Sequence, residues 1–297
     1  MKIEIQSILS ERIGEKIKVK EISSVGGGCI NETARVETNQ GIFFAKWNDA
    51  KLFPGMLETE AKGLQLLKVA DEIKIPEVIA QKIMGSRQFL ILEFIDASPT
   101  APLLKERGLR GEVFWSDFGK SLAKLHKHTS EKFGADHDNY IGSLPQSNRQ
   151  HEKWSEFFIL ERLEPQIKLA HDSQKISNSV SRRFGNLFSQ LEKIFPQEKP
   201  SLLHGDLWSG NFMTGNKGEP VLIDPAVYYG HREMDIAMTK LFGGFSSEFY
   251  ESYNETLPLE NDRETRTDIC NLYPLMVHVN LFGGSYATQV ESILRRF

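Results

Sequence analysis

Short runs in which apolar and polar residues alternate are the main feature of the first third of the chain. Alternation with a period of two, interrupted by glycine or asparagine, is typical of half-buried strands in an antiparallel sheet. Asn39, Gln40 and Gly41 supply a turn between two of these runs. The predicted strands cover residues 17–25, 33–38, 42–47 and 89–94.

One segment of this region has helical periodicity instead. Leu57, Ala61, Leu64 and Leu67 recur at intervals of three and four residues, which places them on one face of a helix over residues 57–69. The first third of the chain is therefore predicted to form a small antiparallel sheet with one helix.

The remainder of the chain is mainly helical by the same criterion. Phe118, Leu122 and Leu125 mark a core-facing helix that ends near His126. Further helices are expected over residues 154–169, where Pro165 should kink or divide the helix, over residues 176–195, and through most of the final quarter. Apolar pieces at 202–203 and 221–223 bracket a polar loop, which predicts a β-hairpin-like insertion.

These elements predict an α+β chain with two lobes. The N-terminal lobe, residues 1–95, is the small sheet with one helix, and the C-terminal lobe, residues 96–297, is larger and mainly helical. The sequence from Ala97 to Pro102 resembles a linker between them. Ligands commonly bind in a cleft of this kind.

Composition excludes several classes of function. The chain has 36 Lys and Arg against 40 Asp and Glu, and no stretch is uniformly basic, so neither a nucleic-acid partner nor a membrane partner is expected. Two cysteines, Cys29 and Cys270, are too few for a disulfide framework. No apolar run approaches the roughly 18 residues of a membrane span, and the N-terminus lacks a signal-peptide core. These features predict a soluble cytoplasmic protein.

The segment His204-Gly205-Asp206, followed by Asn211, carries the clearest chemistry. Phosphoryl transfer needs a base near the acceptor hydroxyl and oxygen ligands for Mg²⁺. Asp206 can accept the hydroxyl proton, and the amide oxygen of Asn211 can bind the metal. Asp224, at the end of an apolar strand, is the expected carboxylate ligand. Ordinary turn and capping residues are the alternative, but both segments together favour a kinase.

This segment, read as HGDLWSGN, resembles the HGDxxxxN loop of the aminoglycoside phosphotransferase and choline kinase superfamily, whose fold is protein-kinase-like. More narrowly, it is similar to the HGDLWxGN of the fructosamine kinase (ketosamine-3-kinase) family. Residues 224–238 and 241–245 continue the resemblance, and residues 26–31 and 140–146 extend it over nearly the whole chain. The resemblance implies a bilobal kinase that uses ATP and Mg²⁺.

Several residues are expected to bind the nucleotide. Lys46 ends an alternating strand, where its ammonium can reach phosphates, and a helix glutamate should orient it. Glu60 resembles the family position, with Glu58 as the alternative; the two lie on different sides of the helix. The flap over the phosphates is expected at Gly26, Gly27, Gly28 and Cys29, and the adenine-binding hinge at Glu93, Phe94 and Ile95.

Trp208 is the candidate for acceptor binding. An exposed indole beside the base offers a flat face to a sugar, although packing beneath the loop is the alternative. The resemblance places it at the acceptor site and implies that the acceptor is the 3-hydroxyl of a ketosamine, whose phosphorylation would promote deglycation. An aminoglycoside or choline-type acceptor is the alternative within kinases. A catalytically inactive binding module is a third hypothesis, which intact Lys46 and Asp206 argue against.

Two further residues have open roles. The resemblance implies that Asp235 braces the backbone of the catalytic loop, whereas a surface helix aspartate is the alternative. A thiol at Cys29, near phosphate-binding amides, could be reactive and join two chains reversibly, or it could be an inert small residue in a turn. The protein is thus expected to be a monomer, with a redox-dependent dimer through Cys29 as a hypothesis.

Overall fold

The computed structural model describes residues 1–26, 30–96 and 109–297. Gly27, Gly28 and Cys29 of the expected flap lie outside this range, as does the expected linker at 97–102. The exact boundary between the two lobes, at residues 95 and 96, stays a prediction.

The N-terminal part is built on one antiparallel sheet, as the alternating runs predicted. Its five strands lie in the order β1-β2-β3-β5-β4, so β3 is the central strand. On β3, Lys46 pairs with Thr33 on one neighbour and with Leu90 on the other. The strands are β1 Val19–Ser24, β2 Glu32–Thr38, β3 Gly41–Asp49, β4 Val78–Met84 and β5 Arg87–Glu93.

Within the described residues of this part there are two helices, α1 Lys2–Ile13 and α2 Met56–Ala70, where the sequence predicted one. The helix α1 was missed because only Ile5, Ile8 and Leu9 are buried along it, and no side chain caps its start. Strand β4 was missed too. It is an edge strand whose residues are nearly all half-buried, so its pattern lacks alternation.

The C-terminal part is mainly helical, as expected. Its first helix among the described residues is α3, which ends at Leu125 as the apolar spacing predicted. The remaining α-helices are α4 Trp154–Phe157, α5 Glu164–Asp172, α6 Asn178–Phe188, α7 Leu191–Ile194, α8 Glu233–Leu241, α9 Ser247–Thr256, α10 Arg263–Phe282 and α11 Ser285–Leu294, and α3 itself spans Leu109–Leu125. Among the residues that the structure describes, no helix has the length and apolar character to cross a bilayer.

The segment predicted as one helix over residues 154–169 is divided by a π-helical turn, Phe158–Leu163. This turn ends just before Pro165, the second residue of α5, which has no backbone N–H to donate to the preceding turn. The π-helical turn contains Arg162, whose side chain is fully buried. The guanidinium lies 4.0 Å from the ring centroid of Tyr228 and donates to the carbonyl oxygen of Ser147.

The prediction that residues 202–203 and 221–223 form the two strands of one hairpin was wrong. Strand β8 pairs with β11, and β9 pairs with β10 inside that connection. The partner of β8 is distant in the chain, so the apolar pattern alone could not identify it. This arrangement brings the loop after β8 beside the segment between β10 and β11. The short strands are β6 Asn139–Ile141, β7 Leu144–Gln146, β8 Ser201–Leu203, β9 Phe212–Thr214, β10 Pro220–Leu222 and β11 Tyr228–Gly230.

A shared hydrophobic core holds the two parts together. Leu57 and Leu64 of α2 pack in the same cluster as Leu222 and Val227 of the C-terminal part. The backbone N–H of Leu222 also donates to the carbonyl oxygen of Lys74, over 3.0 Å. The helix α2 therefore packs directly against the segment that carries Asp224.

Candidate active site

Lys46 lies where the sheet meets the C-terminal part. Its side chain is buried, with Nζ 2.8 Å from Oε1 of Glu60 and 2.5 Å from Oδ1 of Asp224. Burial alone would lower the pKa of the Lys46 ammonium, but the two carboxylates outweigh this effect and raise it. The lysine is therefore held as a cation between the two parts.

The structure distinguishes the two helix glutamates. Glu60 faces the interior and pairs with Lys46, whereas Glu58 pairs with Lys62 one turn further along α2, at the surface. This matches the different directions of the two side chains that helix geometry predicted.

The catalytic-loop segment, His204 to Asn211, begins directly after β8. Gly205 has a φ of 83°, a conformation that glycine adopts without strain. A Cβ at this position would overlap the backbone carbonyl oxygen of Ala226. The N–H of Ala226 donates to the carbonyl oxygen of His204 over 2.9 Å. Glycine is thus required because the loop and the segment after Asp224 are in close backbone contact.

Asp235 of α8 braces this loop, as the resemblance implied. Its two carboxylate oxygens accept the backbone N–H groups of His204 and Gly205, at 2.8 and 2.9 Å. Nε2 of His126 lies 3.2 Å from the same carboxylate, and the His126 Nδ1 lies 2.8 Å from the hydroxyl of Tyr253. Burial alone would raise the pKa of Asp235, but its hydrogen bonds, chiefly with His126, lower it. The brace is therefore an ionised carboxylate.

His204 connects the loop to the strand that precedes Asp224. Its Nε2 donates to the carbonyl oxygen of Ile223 over 2.9 Å, and its Nδ1 accepts the N–H of Asp206 over 3.3 Å. This donor and acceptor pair assigns the neutral Nε2–H tautomer. Burial lowers the pKa of His204, which agrees with a neutral ring.

The side chains of Asp206 and Asn211 contact each other across the loop. Nδ2 of Asn211 donates to Oδ2 and to the backbone oxygen of Asp206, each over 2.9 Å. Burial raises the pKa of Asp206 to about 7, with Asp224 and Asp235 adding to the rise and Asn211 opposing it. A carboxylate with this pKa is suited to exchanging a proton near neutral pH.

The oxygens near this loop fit Mg²⁺ shared with a nucleotide. The two Nδ2 hydrogen bonds of Asn211 leave its Oδ1 available, and the side chain of Asp224 is 47% exposed. In the described ranges, no group of three or more His, Cys, Asp and Glu side chains is placed to hold a metal. One amide oxygen and one carboxylate suit Mg²⁺ because this ion usually takes its remaining ligands from phosphates and water.

Two adjoining cavities open onto Asp206. The first, about 230 Å³, lies between the two parts and contains Lys46, Glu60, Asn211 and Asp224. The second, about 370 Å³, is lined mainly by apolar and aromatic side chains of the C-terminal part. Asp206, Trp208, Ile30 and Gly142 line both.

Trp208 lines both cavities. Its indole is 38% exposed and does not pack beneath the loop. The six-membered ring covers Gly210, where a Cβ would overlap it, and the ring centroid lies 6.0 Å from that of Phe242. The flat face expected beside the base is therefore present and held in place.

The hairpin β6–β7 borders the site, with Asn139, Tyr140 and Gly142 lining the first cavity. Nδ2 of Asn139 donates to the carbonyl oxygen of Val227 over 2.9 Å. The hydroxyl of Tyr140 donates to the carbonyl oxygen of Pro54, also over 2.9 Å. Gln146, buried between them, donates to Oδ1 of Asn139. The hairpin thus supports the segment after Asp224 and contacts both parts.

Sequence reasoning missed the residues of α10, and those in and directly after α8, that line the second cavity. They include Met238, Phe242, His278 and Leu281. Nδ1 of His278 donates to the carbonyl oxygen of Pro274 over 2.7 Å, which leaves Nε2 as an acceptor. Helical spacing indicates only that such residues lie on a buried face, so nothing in the local sequence marked them as part of a site.

The expected adenine hinge is not part of either cavity. The N–H of Glu93 donates to the carbonyl oxygen of Glu77, and the Glu93 carboxylate pairs with Lys74. Phe94 lies beneath the guanidinium of Arg35, at 5.6 Å. The roles of Glu93, Phe94 and Ile95 stay predictions, as does that of Gly26, which follows β1.

Comparison with known sequences agrees with this geometry. The chain matches the family model described as fructosamine kinase over residues 1–297. A probable ketoamine kinase from Enterococcus faecium is 36% identical over 297 residues, covering 99% of this chain and 100% of that protein. A chloroplastic protein-ribulosamine 3-kinase from Arabidopsis thaliana is 38% identical over 292 residues, covering 97% and 85%.

Solved structures give the same result. A protein from Haemophilus somnus, provisionally described as a fructosamine-3-kinase, superposes with a TM-score of 0.86 at 28% identity, covering 98% of this chain and 96% of that one. The ADP-bound aminoglycoside phosphotransferase APH(2'')-Ib has a TM-score of 0.64 at 14% identity, covering 99% and 97%, and so shares the fold. The chain therefore belongs to the fructosamine kinase family and has the bilobal, protein-kinase-like fold.

Proposed function

We propose that this protein transfers the γ-phosphoryl group of ATP to a hydroxyl of a ketosamine, with Mg²⁺ as the metal. The observation that carries the proposal is the position of Asp206 between two cavities of different chemistry. One cavity contains a lysine, a carboxylate and an amide, and the other is apolar and aromatic. This arrangement suits a phosphate donor on one side of the base and a sugar adduct on the other.

On the donor side, Lys46 is the proposed phosphate ligand, with Glu60 holding its ammonium in place. Asn211 and Asp224 would hold Mg²⁺, which when bound neutralises charge on the phosphates. Gly26 to Cys29 would cover the phosphates, and the backbone of residues 93–95 would pair with adenine. Lys46 exchanges its contact with Asp224 for the phosphates when the nucleotide enters.

On the acceptor side, Asp206 is the proposed general base. It accepts the hydroxyl proton while the hydroxyl oxygen forms a bond to the γ-phosphorus, and the bond from phosphorus to the ADP oxygen breaks. The products are ADP and the phosphorylated ketosamine, and the proton on Asp206 passes to water. Asn211 keeps the carboxylate directed into the site through its hydrogen bond to Oδ2.

The proposed acceptor is a fructosamine or ribulosamine, with the 3-hydroxyl as the target. Relatives are named ketoamine kinase and protein-ribulosamine 3-kinase, at 36% and 38% identity. Trp208 offers its ring face to the sugar. A phosphate at this position makes the adduct unstable so that it releases the amine, and the role would be deglycation.

The aminoglycoside and choline alternatives fit the second cavity less well. A polycationic acceptor calls for several carboxylates, but in the described part of the chain Asp206 is the only acidic residue lining this cavity. The acidic residues between positions 251 and 264 do not line it. An inactive binding module is also disfavoured, because Lys46, Asp206 and Asp224 are brought together.

An acceptor panel tests this proposal. ADP release would be measured with fructosyl-lysine, ribulosyl-lysine, kanamycin and choline, and NMR would locate the phosphate on the product. Turnover of the two ketosamines with phosphate on the 3-hydroxyl, and none of kanamycin or choline, is expected. Turnover of kanamycin or choline alone would overturn the proposal. Asp206→Asn serves as the inactive control.

For assembly, we propose a monomer under reducing conditions and a disulfide-linked dimer through Cys29 after oxidation. Cys270 is only 1% exposed, so it is poorly placed to join two chains. Non-reducing electrophoresis should show a dimer band in the wild type and in Cys270→Ser, and none in Cys29→Ser. A dimer band in Cys29→Ser would exclude this role of Cys29.

A further inference from the structure

A row of aromatic rings leads from the base to the surface of the C-terminal part. We call it the aromatic strip. Successive ring centroids lie 6.0 Å apart for Trp208 and Phe242, 4.9 Å for Phe242 and His278, and 5.4 Å for His278 and Phe282. The Tyr286 ring lies 4.9 Å from that of His278. The aromatic strip consists of Trp208, Phe242, His278, Phe282 and Tyr286.

Exposure is highest at the outer end of the aromatic strip. Trp208 and Phe242 are each 38% exposed, whereas Phe282 is 63% exposed. A contiguous apolar surface of this kind is typical of a binding site. It is continuous with the cavity that contains Asp206, so its occupant enters the same cavity.

The turn between α10 and α11 holds the outer rings in place. Gly283 and Gly284 have φ values of 68° and 67° with extended negative ψ, a conformation open almost only to glycine. The N–H of Gly283 donates to the carbonyl oxygen of Val279 over 2.9 Å. Phe282 and Tyr286, on opposite sides of this turn, both face the cavity.

The charges around the cavity restrict what can bind there. The lining residues in the described part of the chain include one acid, Asp206, and no lysine, arginine or glutamate. Burial lowers the pKa of His278, which favours its neutral ring. The α-carboxylate and α-ammonium of a free amino acid would therefore lack ion-pair partners. An alkyl chain and the apolar neighbours of a peptide-bound lysine match the surface better.

We propose that the aromatic strip binds the carrier chain of the ketosamine and selects adducts on peptide lysines that have apolar neighbours. This inference rests on the proposed function and specifies its substrate. The sugar lies at Asp206 and Trp208, the lysine methylenes lie along Phe242 and His278, and an apolar side chain of the carrier packs on Phe282. The single step of 4.9 Å between the Phe242 and His278 rings is within the length of an extended lysine side chain, which leaves Phe282 for a neighbouring residue of the carrier.

Three ribulosamine substrates test the inference: the adduct of n-butylamine, a peptide adduct whose lysine has leucine on both sides, and the same peptide with serine instead. In the wild type, kcat/KM for the leucine peptide should exceed that for the serine peptide about five- to ten-fold, since a partly exposed phenyl ring becomes covered. Phe282→Ala should reduce this ratio to about one.

Ile3→Ala is the matched control, because Ile3 is 84% exposed on α1 and does not line the cavity. It should keep the wild-type ratio. Equal kcat/KM for both peptides in the wild type, or an unchanged ratio in Phe282→Ala, would overturn the inference while leaving the proposed function intact. If the wild type phosphorylates none of the three adducts, both the inference and the proposed function are overturned.

Discussion

Lys46 and Asp224 form an ion pair across the cleft, with Nζ 2.5 Å from Oδ1, although 178 positions separate them in the chain. The pair joins the central strand of the sheet to the segment between β10 and β11. The lysine is the proposed phosphate ligand and the carboxylate is a proposed Mg²⁺ ligand, and in the pair each neutralises the charge of the other. Each residue is thus held in place by the other.

Glu60 should matter far more than Glu58 for stability and for activity. Glu60→Gln leaves Lys46 with one carboxylate in a buried site, so it should cost about 2 kcal/mol of unfolding free energy and lower kcat/KM for ATP. Glu58→Gln removes only an exposed pair with Lys62 and should cost no more than about 0.5 kcal/mol. Urea unfolding and steady-state kinetics of both variants check this, and equal effects would contradict it.

Asp206→Asn should abolish the base while leaving nucleotide binding nearly unchanged. The expected loss of kcat is about 10²- to 10⁴-fold. In the wild type, activity should fall as pH decreases, because the base must be ionised. The midpoint should lie no higher than about 7, since bound Mg²⁺ adds positive charge beside the carboxylate. A wild-type profile that is flat from pH 5 to about 8 would argue against this assignment.

The same variant should be more stable than the wild type at alkaline pH, measured without nucleotide. The folded-state pKa of Asp206, about 7, lies above the ordinary aspartate value near 3.9, so the wild type loses stability as pH rises between these values. Asp206→Asn lacks this loss. Its advantage should grow from about pH 4 to about pH 7 and then stay constant, with a rise in Tm of about 2–4 °C for each kcal/mol gained. Thermal scans across pH measure it, and an advantage that is largest at low pH would have the wrong sign.

Asp235→Asn should disturb the catalytic loop without removing a ligand. An amide offers one acceptor oxygen where the carboxylate serves two backbone N–H groups, so a buried donor at His204 or Gly205 loses its partner. We expect a loss of about 2–3 kcal/mol and a lower kcat, with little change in the Kd of ATP. Asp268→Asn, which breaks an exposed pair with Arg296, is the control. Loss of ATP affinity at unchanged kcat would contradict a bracing role.

Alanine substitutions at two glycines with nearly the same φ should distinguish the cost of backbone strain from the cost of steric overlap. Gly205 and Gly218 have φ values of 83° and 84°, but nothing lies within 4 Å of a Cβ placed on Gly218. Gly218→Ala should therefore cost only about 1–2 kcal/mol. Gly205→Ala must also displace the carbonyl group of Ala226, so it should cost clearly more and reduce activity. Chemical unfolding of both variants measures the two losses of unfolding free energy. Comparable losses would show that overlap with the Ala226 carbonyl group adds nothing to the cost.

Much of this protein could be predicted from the sequence, because local patterns report local physics. Alternation identified the central strands, and helical spacing identified α2 and α3. The segment from His204 to Asn211 and Asp224 indicated the chemistry, since few functions need those groups so close together. Where the pattern was weak, as at α1 and β4, prediction failed.

The tertiary structure alone decided how distant segments meet. Pairing of β8 with β11 brings Asp206 beside Asp224, and helix packing selects Glu60 over Glu58 as the partner of Lys46. The aromatic strip joins Trp208, which the sequence did single out, to Phe242 directly after α8 and to residues of α10 and α11 that look like ordinary positions in their own segments. Side chains far apart in the chain carry no local signal of their contact, so the acceptor side of the site depends on the fold.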